Sequence, residues 1–152
     1  MKSKIYIAYG SNMDLEQLAF RCPEAELIGT GRLDGWRLMF KGSQTGAYAT
    51  IEREKGQTVP ILLWRISAAD EERLDRYEGF PTFYYKRTIR AMRMGENGAD
   101  LGKIQGMAYI MHEERKLGIP TMQYYDVLAQ AYKKFGFDMK ILEDPYIFSD
   151  QP

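Results

Sequence analysis

Residues 5–13, "IYIAYGSNM", decide how the rest of the chain is read. Ile5 to Ala8, with Tyr9 behind them, are mostly β-branched or aromatic, side chains that suit a pleated strand. The run stops at Gly10-Ser11-Asn12, and "DLEQLAFRC" then reads as a helix that Pro23 ends. A strand that enters a helix through such a turn can present bare backbone N–H groups where the helix dipole is positive. That is a place to hold an anion or a polar substrate. Gly10 would permit positive φ and close backbone approach. The same turn has a plainer use, because Ser11 and Asn12 are also good caps for the helix that follows.

Outward from this junction the pattern is mainly strand. Residues 26–42, "ELIGTGRLDGWRLMFKG", alternate apolar and polar positions with glycines between, as two strands would. Gly29, Gly31 and Gly35 are not a dinucleotide fingerprint, because they lie inside strand pattern and no helix follows. "AYATIERE" and "VPILLWRIS" predict two more strands, with Pro60 at a strand start. "SAADEERLDRYEGF" predicts a helix, with Ser67 as N-cap, Asp70 completing a short capping box and Gly79 as the stop. "TFYYKRTIRAMRM" and "IQGMAYIMH" form a hairpin about the loop "GENGADLG". "GIPTMQYYDVLAQAYKKFG" is a last helix, with Tyr124, Leu128, Ala131, Tyr132 and Phe135 near helical spacing. The tail "LEDPYIFSDQP" reads as irregular. The sum is an α+β fold over a single domain, 1–152, with a small mixed β-barrel of about six strands (six or seven by count) and about three interspersed helices.

Composition narrows the chemistry. Lys+Arg and Asp+Glu are both 21 and interleave along the chain, so no nucleic-acid partner is expected. No apolar run approaches the roughly 20 residues that span a bilayer, and "IYIA" is too short for a signal peptide core. A single Cys22 forms no internal disulfide, and a cytoplasmic location is expected. Cys22 and the only histidine, His112, cannot make a four-ligand zinc site, and no metal or other cofactor is expected. A hydrolase would need His112, read as a surface-loop residue, to reach Cys22, read as a small buried one.

Two other places could carry chemistry. Glu78 closes its helix at the negative end of the dipole, between Tyr77 and Phe80, which would raise its pKa toward neutrality and suit it to general acid–base work. The plainer reading pairs it with Arg73 or Arg76 in solvent. In "PTMQY", Thr121 caps the last helix and Tyr124 falls on its first turn, where a buried hydroxyl needs a partner.

In order, "AYGSNM", "RCPEA", "GTGRLDGWRLMF" with "ATIE", "LDRYEGFPTFYYKR" and "PTMQYYDVLAQAYKKFGF" resemble the gamma-glutamylcyclotransferase-like family. The resemblance runs along nearly the whole chain. It implies a closed or nearly closed β-barrel and a cofactor-independent enzyme that cyclises a gamma-glutamyl amino acid or amine to 5-oxoproline, releasing the free amine. It implies Glu78 as the catalytic glutamate and Tyr9, Gly10, Ser11, Asn12 and Met13 as the substrate cradle. Tyr124 is the implied tyrosine of a Pro-Ser-x-x-Tyr element, with Thr121 in place of serine, and Tyr84 or Tyr85 is the tyrosine after Glu-Gly. Pro60 departs from an expected glycine, and Asn12 stands where the glutathione-specific relatives carry leucine. The implied partner is a small gamma-glutamyl molecule; nothing in the sequence speaks to oligomeric state. The alternative from another class is a non-catalytic module that binds a gamma-glutamyl or acidic metabolite in the same cradle.

Overall fold

A computed structural model of the protein describes residues 3–144 and 147. Five strands, β1 (Ser3–Ala8), β2 (Glu26–Lys41), β3 (Tyr48–Ser67), β4 (Tyr84–Met94) and β5 (Asp100–Met111), close into a barrel in the order β1-β3-β2-β4-β5. Neighbours are antiparallel except β1 and β5, which meet in parallel at Tyr6 and Met107. The α+β, barrel-like expectation holds, and the strand count is corrected from six or seven to five. Residues expected to form four strands form two long ones. Gly29 and Gly35 mark irregularities inside β2 rather than turns: the register shifts between Leu27 and Gly29, and again between Asp34 and Trp36. At the second shift Gly35, at φ 81°, faces residues 54–57 of β3, so both strands bend and continue. Strands this long must bend and twist to close a barrel.

Pro60 is likewise not at a strand start. It lies within β3 opposite Arg32, beyond Leu62, the partner of the last β1 residue, so only β2 flanks it there. A missing N–H is tolerated where a strand has a neighbour on one side. Ile61, Leu62 and Leu63 are all fully buried, because one face of β3 looks into the barrel and the other is covered from outside. Gly31 lets β2 approach β4: a Cβ there would lie 2.6 Å from the Met92 carbonyl oxygen. That pairing spans only Thr30–Arg32 against Met92–Met94. Beyond it the seam opens into a groove lined in part by Arg53, Arg87, Arg90 and Lys103. Cations that interleave with acids along the chain are therefore massed here in space, and such charge discourages pairing with a stray strand.

The helices are α1 (Leu15–Arg21), α2 (Ala68–Glu78), α3 (Met122–Phe135) and a single turn, α4 (Lys140–Glu143). Ser67 caps α2, accepting from the Asp70 N–H at 3.1 Å, an interaction of about 1 kcal/mol. Asp70 pairs with Arg73 at 3.0 Å. Gly79 ends α2 in the left-handed conformation at φ 66°. Thr121 caps α3 and Gly136 ends it, as expected. The cap of α1 is Asp14, which accepts from the Glu16 and Gln17 N–H groups. The plainer reading of Ser11 and Asn12 as caps is thereby removed. The tail is helical at Leu142 and Glu143; its residues 145, 146 and 148–152 lie outside the described residues. No helix among the described residues is long and apolar enough to cross a membrane.

Candidate active site

After β1 the chain makes one 3-10 turn, Ser11–Met13, in which the Met13 N–H donates to the Gly10 carbonyl at 3.0 Å. Ser11 and Asn12 are buried, and their N–H groups have no acceptor among the described residues. Met13 is the one cradle residue the structure does not bring to the cavity: its N–H is spent and its side chain is core. Gly10 has φ −121°, so positive φ is not the reason for glycine. Space is. A Cβ would stand 3.2 Å from the Tyr124 hydroxyl oxygen and 3.4 Å from the Ala49 Cβ.

Gly10, Ser11 and Asn12 form one wall of a cavity of about 330 Å³, and Glu78, the last residue of α2, forms another. The Glu78 carboxyl has no salt bridge among the described residues, since Arg73 is taken by Asp70. Its contact is the Asn12 amide, Nδ2 standing 3.5 Å from Oε1. Burial pushes Glu78 up to about 7, and the positive charge of Arg21 opposes that rise. The direction matches the sequence expectation, and loss of water among aromatic rings is its leading cause.

Tyrosines supply most of the remaining wall. Tyr84, on β4, donates to the Ala49 carbonyl at 2.7 Å, and Tyr124, on α3, accepts from the Ala49 N–H at 3.1 Å. Tyr124 thus keeps its own proton for a ligand. Tyr85 points to the other face, with its hydroxyl on Glu113 and its ring beside His112, because successive strand residues alternate sides. Of the two tyrosines left open by spacing, Tyr84 lines the cavity. Tyr9 lines it too and donates to the Tyr109 carbonyl.

Sequence reasoning missed Tyr6, Tyr48, Tyr77, Phe83 and Tyr109, which complete the enclosure. Tyr6 stands closest to the chemistry, its hydroxyl accepting from Asn12 Nδ2 at 2.8 Å. The signal was compositional: the chain holds eleven tyrosines, and seven of them face this one cavity. The Cys22–His112 alternative fails. Cys22 is buried, with its thiol pushed up to about 12 by burial and its Sγ on the Asp70 carbonyl, while His112 Nε2 meets the Pro81 carbonyl at 2.8 Å. Such a thiol holds no thiolate near neutral pH.

A family model described as gamma-glutamyl cyclotransferase, AIG2-like, matches residues 6–127. The chain is 33% identical over 146 residues to a gamma-glutamylcyclotransferase of Bos taurus, covering 91% of this chain and 75% of that one. It is 28% identical over 149 residues to a gamma-glutamylcyclotransferase of Homo sapiens, covering 93% and 77%. A solved structure named gamma-glutamyl cyclotransferase shares the fold at a TM-score of 0.82 and 24% identity, over 99% of this chain and 90% of that one. A second, an uncharacterized human protein, does so at 0.81 and 26%, over 100% and 92%. With most of its length matched in sequence and nearly all of it in fold, the chain belongs to the gamma-glutamyl cyclotransferase, AIG2-like family.

Proposed function

We propose that this protein is a cofactor-independent gamma-glutamyl cyclotransferase with Glu78 as its general acid–base. One observation carries the reading: a carboxyl held near neutral pKa, without a salt bridge among the described residues, shares a small cavity with N–H groups that have no acceptor among them. The substrate's α-amine gives a proton to Glu78 and its nitrogen bonds to the γ-carbonyl carbon. The C–N bond to the leaving amine then breaks, and the proton passes from Glu78 to the departing nitrogen. Ring closure within a held conformer is worth on the order of 7 kcal/mol or more in favourable cases.

Donors without acceptors among the described residues stand close to Glu78 in the cavity wall: the N–H groups of Ser11 and Asn12 and the hydroxyls of Tyr6 and Tyr124. A gamma-glutamyl substrate brings the matching acceptors, its α-carboxylate and the carbonyl oxygen that turns anionic as the ring closes. Tyr9 and Tyr84, whose hydroxyls are committed to the Tyr109 and Ala49 carbonyls, shape the enclosure, and Tyr84 holds Ala49 in place. The leaving group would lie toward the exposed Tyr48 and Tyr77, where Arg76 also lines the cavity with no carboxylate partner among the described residues. That favours leaving amines that carry a carboxylate. Assayed for 5-oxoproline, a panel of gamma-glutamyl amino acids and gamma-glutamyl amines should show faster turnover of the amino acids. Arg76→Ala should narrow the gap by raising their KM. Binding across the panel with no product from any member would overturn the enzyme reading in favour of the binding module.

The base must be ionised to accept the proton, so kcat/KM should be low at pH 5, rise through about 7 and level off above 8. A profile from pH 4 to 9 checks this. An acid limb near the ordinary 4.5 would take Glu78 out of that role.

A further inference from the structure

Arg21 belongs to the "RCPEA" stretch, closes α1 and does not line the cavity, so the proposed reaction leaves it without a part. Its guanidinium is nevertheless held from three sides. Nη2 donates to Gln17 Oε1 at 2.8 Å, Nη1 donates to Asn12 Oδ1 at 2.5 Å, and Cζ lies 3.6 Å above the Tyr77 ring centroid. Nη1 also stands 3.5 Å from Ser11 Oγ. One cation therefore touches both acceptor-bearing side chains of the turn and the ring next to Glu78.

The consequence lies in the Asn12 amide. With Oδ1 fixed on the guanidinium, Nδ2 must face Tyr6 and Glu78. The flipped amide would set its NH2 against Arg21 and its oxygen against the Glu78 carboxylate, and both contacts would be repulsive. A lysine could supply the charge but not the planar fork that reaches Gln17 and Asn12 together. Besides Tyr48 of β3, five ionisable groups face Glu78 from other elements: Tyr6 of β1, Tyr9 just after it, Tyr84 of β4, Tyr109 of β5 and Tyr124 of α3. Burial drives all five above the ordinary tyrosine range, so they are neutral near pH 7. On α2 itself, Tyr77 and Arg76 line the cavity beside Glu78. From α1, behind the wall, Arg21 brings the positive charge that acts on the carboxyl against its burial.

We infer that Arg21 is a positioning residue: from behind the cavity wall it locks the Asn12 amide toward Glu78 and holds the Glu78 carboxyl in its reactive, ionised form. The inference rests on the reading of Glu78 as proton carrier, but its test does not require turnover. The full chain is labelled with carbon-13 at glutamate carboxyls, the Glu78 signal is assigned by its loss in Glu78→Gln, and its titration is followed in the resting protein.

In Arg21→Met the midpoint should rise above the native value, with the acid limb of kcat/KM moving by the same amount. A midpoint one pH unit higher cuts the ionised fraction at pH 6 by about tenfold, and kcat/KM with it. Arg21→Lys should keep the midpoint near the native value. Arg21→Gln, neutral but able to hydrogen-bond Asn12, should behave as Met does, and it decides the matter if the Met variant does not fold. Equal midpoints in the native, Gln and Lys proteins would overturn the inference and leave the cyclotransferase reading intact. The absence of 5-oxoproline from every gamma-glutamyl compound would remove that reading, while the carboxyl titration would still decide what Arg21 does.

Discussion

Glu78→Gln is expected to yield a folded protein that binds gamma-glutamyl compounds and releases 5-oxoproline at least about a hundredfold more slowly. The amide matches the carboxyl in size and can accept from Asn12 Nδ2 through its own oxygen, so the cavity wall should hold its shape. It cannot take a proton from the substrate amine or return one to the leaving nitrogen. A hundredfold corresponds to about 2.7 kcal/mol of barrier. Residual turnover is expected, because the donors at Ser11, Asn12, Tyr6 and Tyr124 are untouched and continue to fix the substrate in its cyclising conformer. The measurement is kcat for 5-oxoproline release at pH 8, with calorimetric binding as the control. Undiminished kcat would remove Glu78 from the mechanism whatever the family resemblance implies.

The parts of this arrangement that were legible in advance are those fixed by short-range chemistry. Ser67, Gly79, Thr121 and Gly136 bound their helices where cap and stop residues require, which places Glu78 at a helix end and Tyr124 on a first turn. The Gly-Ser-Asn turn was visible because it breaks a strand with three small polar residues. What misled was glycine inside a strand. Gly35 serves a bulge, yet in one dimension a bulge glycine and a turn glycine look the same, so two long strands were read as four. The loop's exact anchoring was also out of reach. Whether Met13 gives its N–H to a ligand or to Gly10 depends on the 3-10 turn, and the same turn moves the cap from Ser11 or Asn12 to Asp14. The enclosing tyrosines were hidden for a different reason. Tyr6, Tyr48 and Tyr109 come from three strands far apart in sequence, and only barrel closure brings them to one place. Pairwise partnership is equally a product of the fold: Arg73 and Arg76 both lie within helical reach of acids, but among the described residues Arg73 alone of the two is paired, which leaves Arg76 at the cavity.

The same Glu78→Gln protein should be more stable than the native one at pH 8, and this gain should vanish near pH 4. In the unfolded chain Glu78 titrates at its ordinary 4.5, whereas in the folded protein burial lifts it to about 7. Between those values the folded state binds the proton more tightly. The contribution of Glu78 to stability is therefore complete below 4.5, declines as pH rises through the window, and is lost above about 7, where folding must bury a charge. The two values differ by an amount equivalent to about 3 kcal/mol, an upper figure because the residue is only partly buried. Glutamine is neutral at every pH, so its advantage should grow from near zero at pH 4 to on the order of 2 kcal/mol at pH 8. Urea unfolding midpoints of both proteins at the two pH values measure it. A difference that does not change with pH would mean that water reaches the carboxyl freely. Glu78 would then lack the raised pKa on which both its catalytic role and the pH profile depend. Loss of turnover together with a pH-dependent gain in stability would instead mark a charged group held in an unfavourable place for the sake of the reaction.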